Sequence, residues 1–385
     1  MIMEKFDVAI IGAGPAGSAA AIGLAQRGYE VALIDKKYFP REKLCGDFVN
    51  PINWPVFREL GVEDRILAQP HSEVSGFRIT SAAGHEAAAR FTSHDRQRPI
   101  GLGLRRKHLD QVLLEQAMAL GVAVRQGRRI GDLSRSAQGW RLAAADGEEW
   151  QSQILIGADG RNSWVAQRLR LNWGAAAHGN AVGFQGRLKC PGAIDGRVEI
   201  HLFPGGYAGM VTLGDGTINL CLAVDKRKLP RQRSADFLFA EILPRNPHLN
   251  DVVRRTENVS ELRSVYPVYF PSRRCLGDRA LLVGDAARVS EPVTGEGIYF
   301  ALRSGLLAAE TIDLALRKGQ AAARDLAGYE RLCRRAFRSR LVLNSLVRFA
   351  IYRPGLFDPV IRLSAKHEQM LHSLLGMVCT PDATR

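Results

Sequence analysis

The hydrophobic pattern at the start of the chain consists of two apolar runs separated by a glycine-rich turn. Segment 6–11 is apolar and leads into Gly12-Ala13-Gly14-Pro15-Ala16-Gly17. A stretch of small residues follows, and a second apolar run, 31–34, ends at Asp35. Short apolar runs are typical of buried strands, and glycine marks tight turns. The pattern therefore predicts a strand, a glycine turn, a helix and a second strand, the unit that holds the ADP half of a dinucleotide.

The residues of this unit suit contact with a pyrophosphate. Gly12 permits a tight turn, Gly14 lets a phosphate approach the backbone, and Gly17 allows close packing of helix and strand. The helix that begins near Pro15 offers unpaired N–H groups and a partial positive charge at its N-terminus. At the end of the second strand, Asp35 is placed to accept hydrogen bonds from ribose hydroxyls.

Further along the chain, the apolar pattern predicts helices, a hairpin and a small sheet. Short helices are expected at 51–60 and 109–120, each ending at a glycine. Residues 73–92 alternate loosely and indicate a hairpin. Residues 129–152 indicate a small antiparallel sheet, followed by a separate buried strand at 154–156.

The texture changes after residue 175. Short β-like runs dominate and predict a broad antiparallel sheet; they lie at 181–188, 197–203, 207–213 and 217–224. One helix is expected near 235–243. A buried strand at 280–284 and a long helix at 296–318 follow, and residues 325–378 have a mostly helical pattern.

The predicted fold class is α/β, with a discontinuous Rossmann-type nucleotide domain and an inserted antiparallel substrate domain. The nucleotide domain is expected to comprise residues 1–72, 100–175 and 275–325. The substrate domain comprises 73–99 and 176–274. A helical region, 326–385, completes the chain.

The charge balance adds a question about partners. The 385 residues carry a formal net charge of +14, mostly from an excess of arginine. Such a balance can attract nucleic acid, an anionic membrane or an acidic protein, and it also fits a cofactor pocket built from cationic groups. No stacking motif or groove-binding helix is evident, so nucleic-acid binding is not expected.

Cysteine usage and hydropathy bear on the compartment. The six cysteines lack CxxC or zinc spacing, which argues against a disulfide framework or a metal site. The first strand starts close to residue 1, so no signal peptide is expected. No apolar run approaches the ~20 residues that span a bilayer. These features favour a cytoplasmic location, with peripheral membrane contact left open.

Two later segments complete a recognisable set of motifs. Residues 157–163 read Gly-Ala-Asp-Gly-Arg-Asn-Ser after a buried strand. Residues 284–288 read Gly-Asp-Ala-Ala-Arg and lead into Pro292, Thr294 and 295–298, Gly-Glu-Gly-Ile. With the first unit, they resemble the FAD-dependent flavoprotein superfamily that contains p-hydroxybenzoate-type monooxygenases and geranylgeranyl reductases. The Lys-x-Cys-Gly sequence at 43–46 is similar to that of the reductase branch.

The resemblance implies FAD as cofactor and NAD(P)H as a transient electron donor. Asp285 is expected to bind a ribityl hydroxyl, and the helix that opens at Gly295 and Gly297 to stabilise reduced flavin. Asp159 and Gly160 are expected near the pyrophosphate, a turn that relatives also associate with NAD(P)H. The full set of expected FAD contacts is Gly12, Gly14, Pro15, Ala16, Gly17, Asp35, Lys36, Arg41, Lys43, Cys45, Gly46, Arg106, Asp159, Gly160, Gly284, Asp285, Gly295, Glu296, Gly297 and Ile298.

Three residues are candidates for a catalytic role. The resemblance puts Cys45 beside the flavin ring, where its thiol either takes part in the reaction or fills space. Tyr207 occupies the first position of the Tyr-x-Trp-x-Phe pattern of prenyl reductases, and it suits either a site residue or a core residue. Gly209 and Val211 replace the Trp and Phe, a departure that argues against prenyl reduction. Pro292 is expected to shape the loop over the flavin.

These observations favour an NAD(P)H-driven monooxygenase that hydroxylates an aromatic or polyketide-like hydrophobic substrate. The alternative is a reductase of the geranylgeranyl type that saturates C=C bonds of a hydrophobic or carrier-bound substrate. A remote alternative is a flavin-bound binding or electron-relay protein.

Arginines at 331–353 suggest contact with a membrane surface or an acyl carrier protein, or simply a packed helix with a charged outer face. The sequence does not fix the oligomeric state.

Overall fold

The computed structural model describes residues 3–91, 98–136, 138–172, 179–190, 192–230, 235–364 and 379. Its strands, in chain order, are β1 (Glu4–Ile11), β2 (Val31–Asp35), β3 (Phe48–Val49), β4 (Ser72–Val74), β5 (Gly76–Thr80), β6 (Glu86–Arg90), β7 (Gly101–Gly103), β8 (Ala123–Gln126), β9 (Ile130–Ser136), β10 (Gly139–Ala144), β11 (Glu149–Gly157), β12 (Ala181–Lys189), β13 (Val198–Phe203), β14 (Gly206–Thr212), β15 (Ile218–Asp225), β16 (Asn258–Val259), β17 (Arg263–Val265), β18 (Leu276–Gly277) and β19 (Ala280–Leu282).

The α-helices are α1 (Pro15–Ala25), α2 (Trp54–Glu59), α3 (Glu63–Leu67), α4 (Arg106–Ala119), α5 (Trp164–Arg168), α6 (Ala235–Phe237), α7 (Pro247–Arg255), α8 (Gly297–Leu316), α9 (Gly328–Ile351) and α10 (Pro354–Ser364). A π-helical turn, Leu238–Ile242, follows α6, and short 3₁₀ turns include Gly284–Ala286 and Pro292–Thr294.

The first sheet is built on parallel strands in the order β19-β11-β1-β2-β8, with β18 at one edge and the β9–β10 hairpin attached to β11. Side chains of β1 alternate between two cores. Val8 and Ile10 pack with α1, α4 and α8, whereas Ala9 and Ile11 pack with β9, β10 and α5. Since both faces are covered, the carboxyl-terminal halves of β1 and β11 are continuous apolar runs, as parallel sheets require. The mixed α/β fold class predicted from the sequence is confirmed.

The carboxyl ends of these parallel strands gather the sequence motifs at one edge. The glycine turn follows β1, Asp35 ends β2, and Asp159 follows β11. Asp285 follows β19 in the same way. In sheets of this kind, ligands bind outside the carboxyl ends of the strands.

Helices α1 and α8 pack face to face with almost no side chain between them. A Cβ added to Gly305 would lie 2.3 Å from the Ala16 carbonyl oxygen, and one added to Gly23 would lie 3.0 Å from the Ala309 Cβ. Gly17 serves the same purpose against the turn, because its Cβ would lie 1.8 Å from the Gly12 oxygen. The small residues therefore allow the two helices to lie side by side over the sheet.

The second sheet has the order β16-β12-β15-β14-β13-β5-β6, with β17 also paired to β12. Its hairpins are antiparallel, including the predicted hairpin near 73–92, which is confirmed as β5–β6. The predicted antiparallel sheet is therefore present, with one pair, β13 and β5, that is parallel. Between β6 and β13 the chain forms β7–β11 and then β12. Strand β13 is therefore not joined to β5 by a hairpin, and it runs in the same direction as β5.

The predicted bounds of the strand at 154–156 are corrected by β11. The sequence suggested a small sheet ending at 152 and a separate strand at 154–156, but residues 149–157 form one continuous strand. Strand β1 pairs with it along its length, from Glu4 opposite Trp150 to Ile11 opposite Gly157. The amino-terminal half also pairs with β10, so one strand serves both the parallel sheet and the hairpin.

At the carboxyl end of the described chain, α9 packs on α8 and is followed by α10. These helices agree with the helical pattern seen in the sequence, although 365–378 lies outside the described residues. Among the helices that are described, none combines the length and the apolar character needed to cross a membrane.

We expect Gly305→Ala to lower the free energy of unfolding by about 1–3 kcal/mol, because the added methyl overpacks the α1–α8 contact. Chemical denaturation followed by circular dichroism measures the change. Gly355→Ala in α10 is the matched control, since its Cβ would meet nothing within 4 Å. The control should leave stability unchanged or raise it by up to about 1 kcal/mol. Equal stabilities for the two variants would contradict the close-packing account.

Candidate active site

One cavity of about 980 Å³ lies between the carboxyl edge of the first sheet and one face of the second. Most residues singled out in the sequence line it: Gly12, Gly14, Pro15, Ala16, Asp35, Lys36, Arg41, Lys43, Cys45, Gly46, Arg106, Asp159, Gly160, Tyr207, Asp285, Pro292, Gly295, Gly297 and Ile298. Gly17, Gly284 and Glu296 do not line it. Thus motifs far apart in the sequence meet around a single space.

The glycine turn is held in shape by Asp35. Its Oδ2 accepts a hydrogen bond from the Ala13 N–H at 2.9 Å, and its Oδ1 accepts one from the Lys37 N–H at 2.9 Å. Gly12 has φ +109°, a conformation that favours glycine. A Cβ on Gly14 would meet only the Arg41 guanidinium, 3.6 Å away, so the backbone there is open toward the cavity. The carboxylate both shapes the turn and faces the ligand space.

Positive charge is concentrated beside this turn. Arg41, Lys43, Arg106 and Arg161 all line the cavity. Burial lowers the pKa of Lys43, and the charge of Arg106 lowers it further, because adding another cation to this space is unfavourable. The buried Nε of Arg41 has no hydrogen-bond partner. An anionic pyrophosphate would neutralise this cluster and satisfy its donors, so the residues present fit a dinucleotide.

Arg106 is fixed by a carboxylate on its own helix. Its Nε and Nη2 donate to the two carboxylate oxygens of Asp110 at 2.8 and 3.0 Å, and the Asp110 side chain is fully buried. This pairing raises the pKa of Arg106, so the guanidinium stays charged. Asp110 also lies 3.5 Å from Arg41. One buried acid therefore orients two of the cations that face the cavity.

The two aspartates of the later motifs differ in their use. The Asp159 carboxylate accepts hydrogen bonds from the backbone N–H groups of Trp164 and Val165 at 2.7 and 3.1 Å, so it caps α5. The Asp285 carboxylate is 37% exposed and lies 3.5 Å from Arg161. Asp285 therefore keeps acceptor capacity for a ligand hydroxyl, whereas Asp159 acts mainly on its own backbone.

The amino end of α8 forms another wall of the cavity. Gly295 has φ +66°, and its Cβ would lie 2.7 Å from the Phe48 ring. A Cβ on Gly297 would meet nothing within 4 Å, so the first turn of α8 presents bare backbone to the cavity. A planar ring can approach such a surface, and the N-terminal N–H groups favour negative charge there. This wall fits the anionic edge of a reduced flavin.

The loop before α8 is held from behind by α9. Asn344 accepts a hydrogen bond from the Glu291 N–H at 3.1 Å and donates to the Glu291 carbonyl and the Thr294 hydroxyl at 3.0 and 2.9 Å. Arg340 Nη1 lies 2.5 Å from Glu296 Oε1, with both side chains buried. The Glu296 side chain thus faces α9 and not the cavity, contrary to the expected FAD contact. Arg340 likewise is no part of a charged outer face.

Cys45 contributes its carbonyl to the architecture. That oxygen accepts hydrogen bonds from Gln185 and Asn219 at 2.8 and 3.0 Å, and Cys221 Sγ lies 3.1 Å away. Burial raises the pKa of both thiols, so they are protonated at neutral pH. Two residues further on, the Asp47 carboxylate accepts a hydrogen bond from the Arg106 N–H at 3.1 Å, and burial raises the pKa of Asp47 to about 7. The Cys45 loop is therefore tied to the second sheet and to the start of α4, and its thiol is not an activated nucleophile.

The far half of the cavity is apolar. Alternate residues of β13, β14 and β15 face it, as the register shows: Ile200 lies opposite Gly209, and Gly209 opposite Cys221. The apolar side chains that line this half are Phe77, Val198, Ile200, Val265, Val268 and Val293, whereas those of Phe184, Met210 and Leu222 pack in the core on the other face of the sheet. We call this half the apolar chamber. It suits a substrate whose reacting part carries no charge.

Tyr207 lines the apolar chamber, and its hydroxyl group is hydrogen-bonded to a buried acid. Its Oη donates to Glu291 Oε1 at 2.7 Å, and both side chains are buried. Sequence reasoning missed Glu291, although this residue directly precedes the flagged Pro292. It also missed Arg161, whose only signal was its place in the second motif, and Asp110, which lies in the helix opened by Arg106.

A family model described as an FAD binding domain matches residues 5–344. The chain belongs to this family. Its members use FAD, and NAD(P)H is a typical electron donor among them. The protein is therefore an FAD-dependent oxidoreductase.

Known relatives include reductases of lipids and quinones. Menaquinone reductase of Mycobacterium tuberculosis is 30% identical over 340 residues, which cover 80% of this chain and 77% of the relative. Digeranylgeranylglycerophospholipid reductase 1 of Methanothermobacter thermautotrophicus is 30% identical over 350 residues, or 87% and 83% of the two chains. The crystal structure of PqsL from P. aeruginosa with 2-aminobenzoylacetate has a TM-score of 0.77 at 20% identity, covering 92% of this chain and all of that one. The last comparison shows a shared fold.

The residues that line the cavity indicate how FAD would be held. The glycine turn and the cation cluster would bind its pyrophosphate, Asp35 its ribose, and Asp285 its ribityl chain. The first turn of α8 would lie along the flavin. Bound there, FAD supplies hydride or electron transfer, and the protein supplies orientation, charge and exclusion of water.

We expect Arg340→Met to lower the free energy of unfolding by about 3–5 kcal/mol, because the variant leaves Glu296 buried without this charge partner. Thermal and chemical denaturation of the holoenzyme measure the loss. Arg338→Met, an exposed change on the same helix, is the control and should stay within about 0.5 kcal/mol of wild type. Adding Glu296→Met to Arg340→Met should restore most of the stability. If Arg340→Met and Arg338→Met were equally stable, the ion pair would not be what anchors the loop to α9.

Proposed function

We propose that this FAD-dependent oxidoreductase reduces a C=C bond of a hydrophobic substrate, with NAD(P)H as the electron donor. The observation that carries the proposal is the apolar chamber, in which the Tyr207 hydroxyl stands among aliphatic and aromatic side chains. Hydride addition to an alkene needs a proton at the second carbon, and Tyr207 is a hydroxyl donor that lines this space. Two relatives at 30% identity are named as reductases, which supports this choice over the monooxygenase favoured by the sequence alone.

The shape of the chamber bears on the substrate. A Cβ on Gly209, at the position of the Trp in the prenyl-reductase pattern, would meet none of the described residues within 4 Å. The missing indole therefore leaves open space next to Tyr207. This space supports a substrate with a bulky group near its reacting bond, such as a quinone or aromatic head carrying an alkenyl chain.

A monooxygenase that hydroxylates a hydrophobic aromatic or polyketide-like substrate is the second candidate. The same departures, Gly209 and Val211 in place of Trp and Phe, favour it, since they make the chamber unlike that of a prenyl reductase. The two reactions differ in the source of the new atom in the product. C=C reduction takes one hydrogen from water, whereas hydroxylation takes oxygen from O₂.

The test is a substrate panel of menaquinone, a geranylgeranyl glycerolipid and alkyl-substituted phenols, incubated with NADPH or NADH. We expect an anaerobic gain of two hydrogens in an alkene substrate, detected by mass spectrometry. Reactions under ¹⁸O₂ should leave the products unlabelled. Gly209→Trp should raise KM for the same substrate by filling the chamber, while FAD content stays unchanged. Incorporation of ¹⁸O without anaerobic turnover would replace the reductase by the monooxygenase.

We further propose that α9 contacts an anionic membrane surface. Val342, Leu346 and Phe349 are 57%, 62% and 55% exposed and lie on one face of the helix. Exposed Arg331, Arg335 and Arg338 continue the same face toward the amino end. We call these six residues the basic–apolar stripe. Large exposed apolar side chains beside guanidinium groups suit lipid headgroups and acyl chains better than the polar surface of an acyl carrier protein.

Sedimentation with vesicles tests this surface. We expect binding to phosphatidylglycerol vesicles, weaker binding to phosphatidylcholine, and loss of binding in Leu346→Glu/Phe349→Glu. Leu314→Glu is the control, because Leu314 is 55% exposed on α8, outside the stripe. Binding that survives the double change, or binding to an acidic acyl carrier protein without binding to vesicles, would overturn the proposal.

A further inference from the structure

Glu291 lies between the main cavity and a second, smaller one. The second cavity, of about 380 Å³, is lined by Glu291 and Tyr352 and by charged residues that include Asp225, Arg227 and Arg348. Arg227 is highly exposed, so this cavity communicates with solvent. Tyr207 lines the main cavity. The 2.7 Å hydrogen bond between Tyr207 and Glu291 therefore crosses the wall that separates the substrate chamber from water.

The surroundings of Glu291 bring the pKa of its carboxyl group close to neutral pH. The side chain is 1% exposed, and Arg348 lines the second cavity together with it. Burial raises its pKa to about 7, while hydrogen bonding to Tyr207 and the charge of Arg348 act in the opposite direction. Tyr352, the residue directly after α9, also acts on it, and burial raises the pKa of Tyr207. A carboxyl group of this kind exchanges a proton at physiological pH.

The position of Glu291 is fixed independently of its charge. Asn344 holds both its backbone N–H and its carbonyl, at 3.1 and 3.0 Å. The Tyr207 ring lies edge-on to that of Tyr352, with centroids 6.3 Å apart. Backbone and ring are thus held in place whether or not a proton is present, so the short contact can persist through a reaction cycle.

We propose that Tyr207 and Glu291 form a proton relay that carries a proton from the second cavity to the substrate in the apolar chamber. The inference rests on the proposed C=C reduction and specifies its proton source. It makes Tyr207 the catalytic acid and Glu291 the group that restores its proton.

The chemical balance of the relay is simple. Bound FAD, once reduced, would supply the hydride for one alkene carbon, and the electron pair of the double bond takes the Tyr207 proton at the other carbon. In the same step, the Glu291 carboxylic acid gives its proton to the Tyr207 oxygen. Water in the second cavity reprotonates the Glu291 carboxylate. One hydride and one proton are consumed, and both residues end in their initial state.

The relay predicts a specific loss in Glu291→Gln. This variant keeps the shape of the side chain but has no acidic proton. We expect the anaerobic oxidation of pre-reduced enzyme by the alkene substrate to slow by about 10²-fold. Reduction of the enzyme by NAD(P)H should be unchanged. In wild type, the substrate step should weaken as pH rises through about 7, because Glu291 must be protonated, and this limb should be absent in the variant.

Two further variants serve as the comparison and the control for this measurement. Tyr207→Phe should lose the substrate step as severely as Glu291→Gln, and the double variant should lose no more than either single change. Glu199→Gln is the matched control: Glu199 is a buried acid on β13, paired with His201 at 3.1 Å and Arg78 at 3.3 Å, and does not line either cavity. A Glu291→Gln enzyme that reduces the alkene at the wild-type rate would overturn the relay while leaving the proposed function intact.

A spectroscopic readout separates the relay from the proposed function. Infrared difference spectra of the FAD-loaded protein, wild type minus Glu291→Gln, should show a protonated carboxyl band at pH 6 that disappears at pH 8. An ionised Glu291 at pH 6 would overturn the relay whatever reaction the enzyme catalyses. If the band is present but no alkene is reduced, the proposed function fails, and with it the role of the pair as proton donor to an alkene.

Discussion

The close contact of α1 and α8 is the constraint on which the site depends. Each helix begins at the cavity, α1 after the first glycine turn and α8 after the loop that contains Pro292. Because small residues such as Ala16, Gly23, Gly305 and Ala309 lie in this contact, both amino ends arrive at the same edge of the sheet. The positive end of one helix dipole would then face a bound pyrophosphate and that of the other a reduced ring. A bulky residue in this contact would separate the two halves of one cofactor site.

The cavity divides its chemistry between two kinds of wall. The first sheet contributes strand ends, helix termini and cations, which suit phosphate. The second sheet contributes alternate residues of β13 to β15, which form the apolar chamber. The Cys45 carbonyl, bound by Gln185 and Asn219, joins the two walls. A charged cofactor and an uncharged substrate can therefore share one space without exposing the reacting groups to solvent.

Most of the cofactor half could be predicted from the sequence, because its determinants are local. A glycine turn, an acid at a strand end and a glycine at a helix start each depend on a few neighbouring residues. The substrate half could not. Glu291 meets Tyr207 across 84 positions, and Arg340 meets Glu296 across 44. Nothing near either residue in the sequence indicates its burial or partner. For the same reason, the sequence does not show that the side chains of Glu296 and Arg340 pair with each other.

Because α9 holds the loop before α8, the order of synthesis affects when the cavity can form. Asn344 and Arg340 belong to the carboxyl-terminal part of the chain, yet they fix the segment that forms the floor of the cavity. On the ribosome, the strands and both glycine turns emerge long before these two residues. The nascent chain can thus form its first sheet early, but the cofactor pocket closes only when α9 has been synthesised and docks.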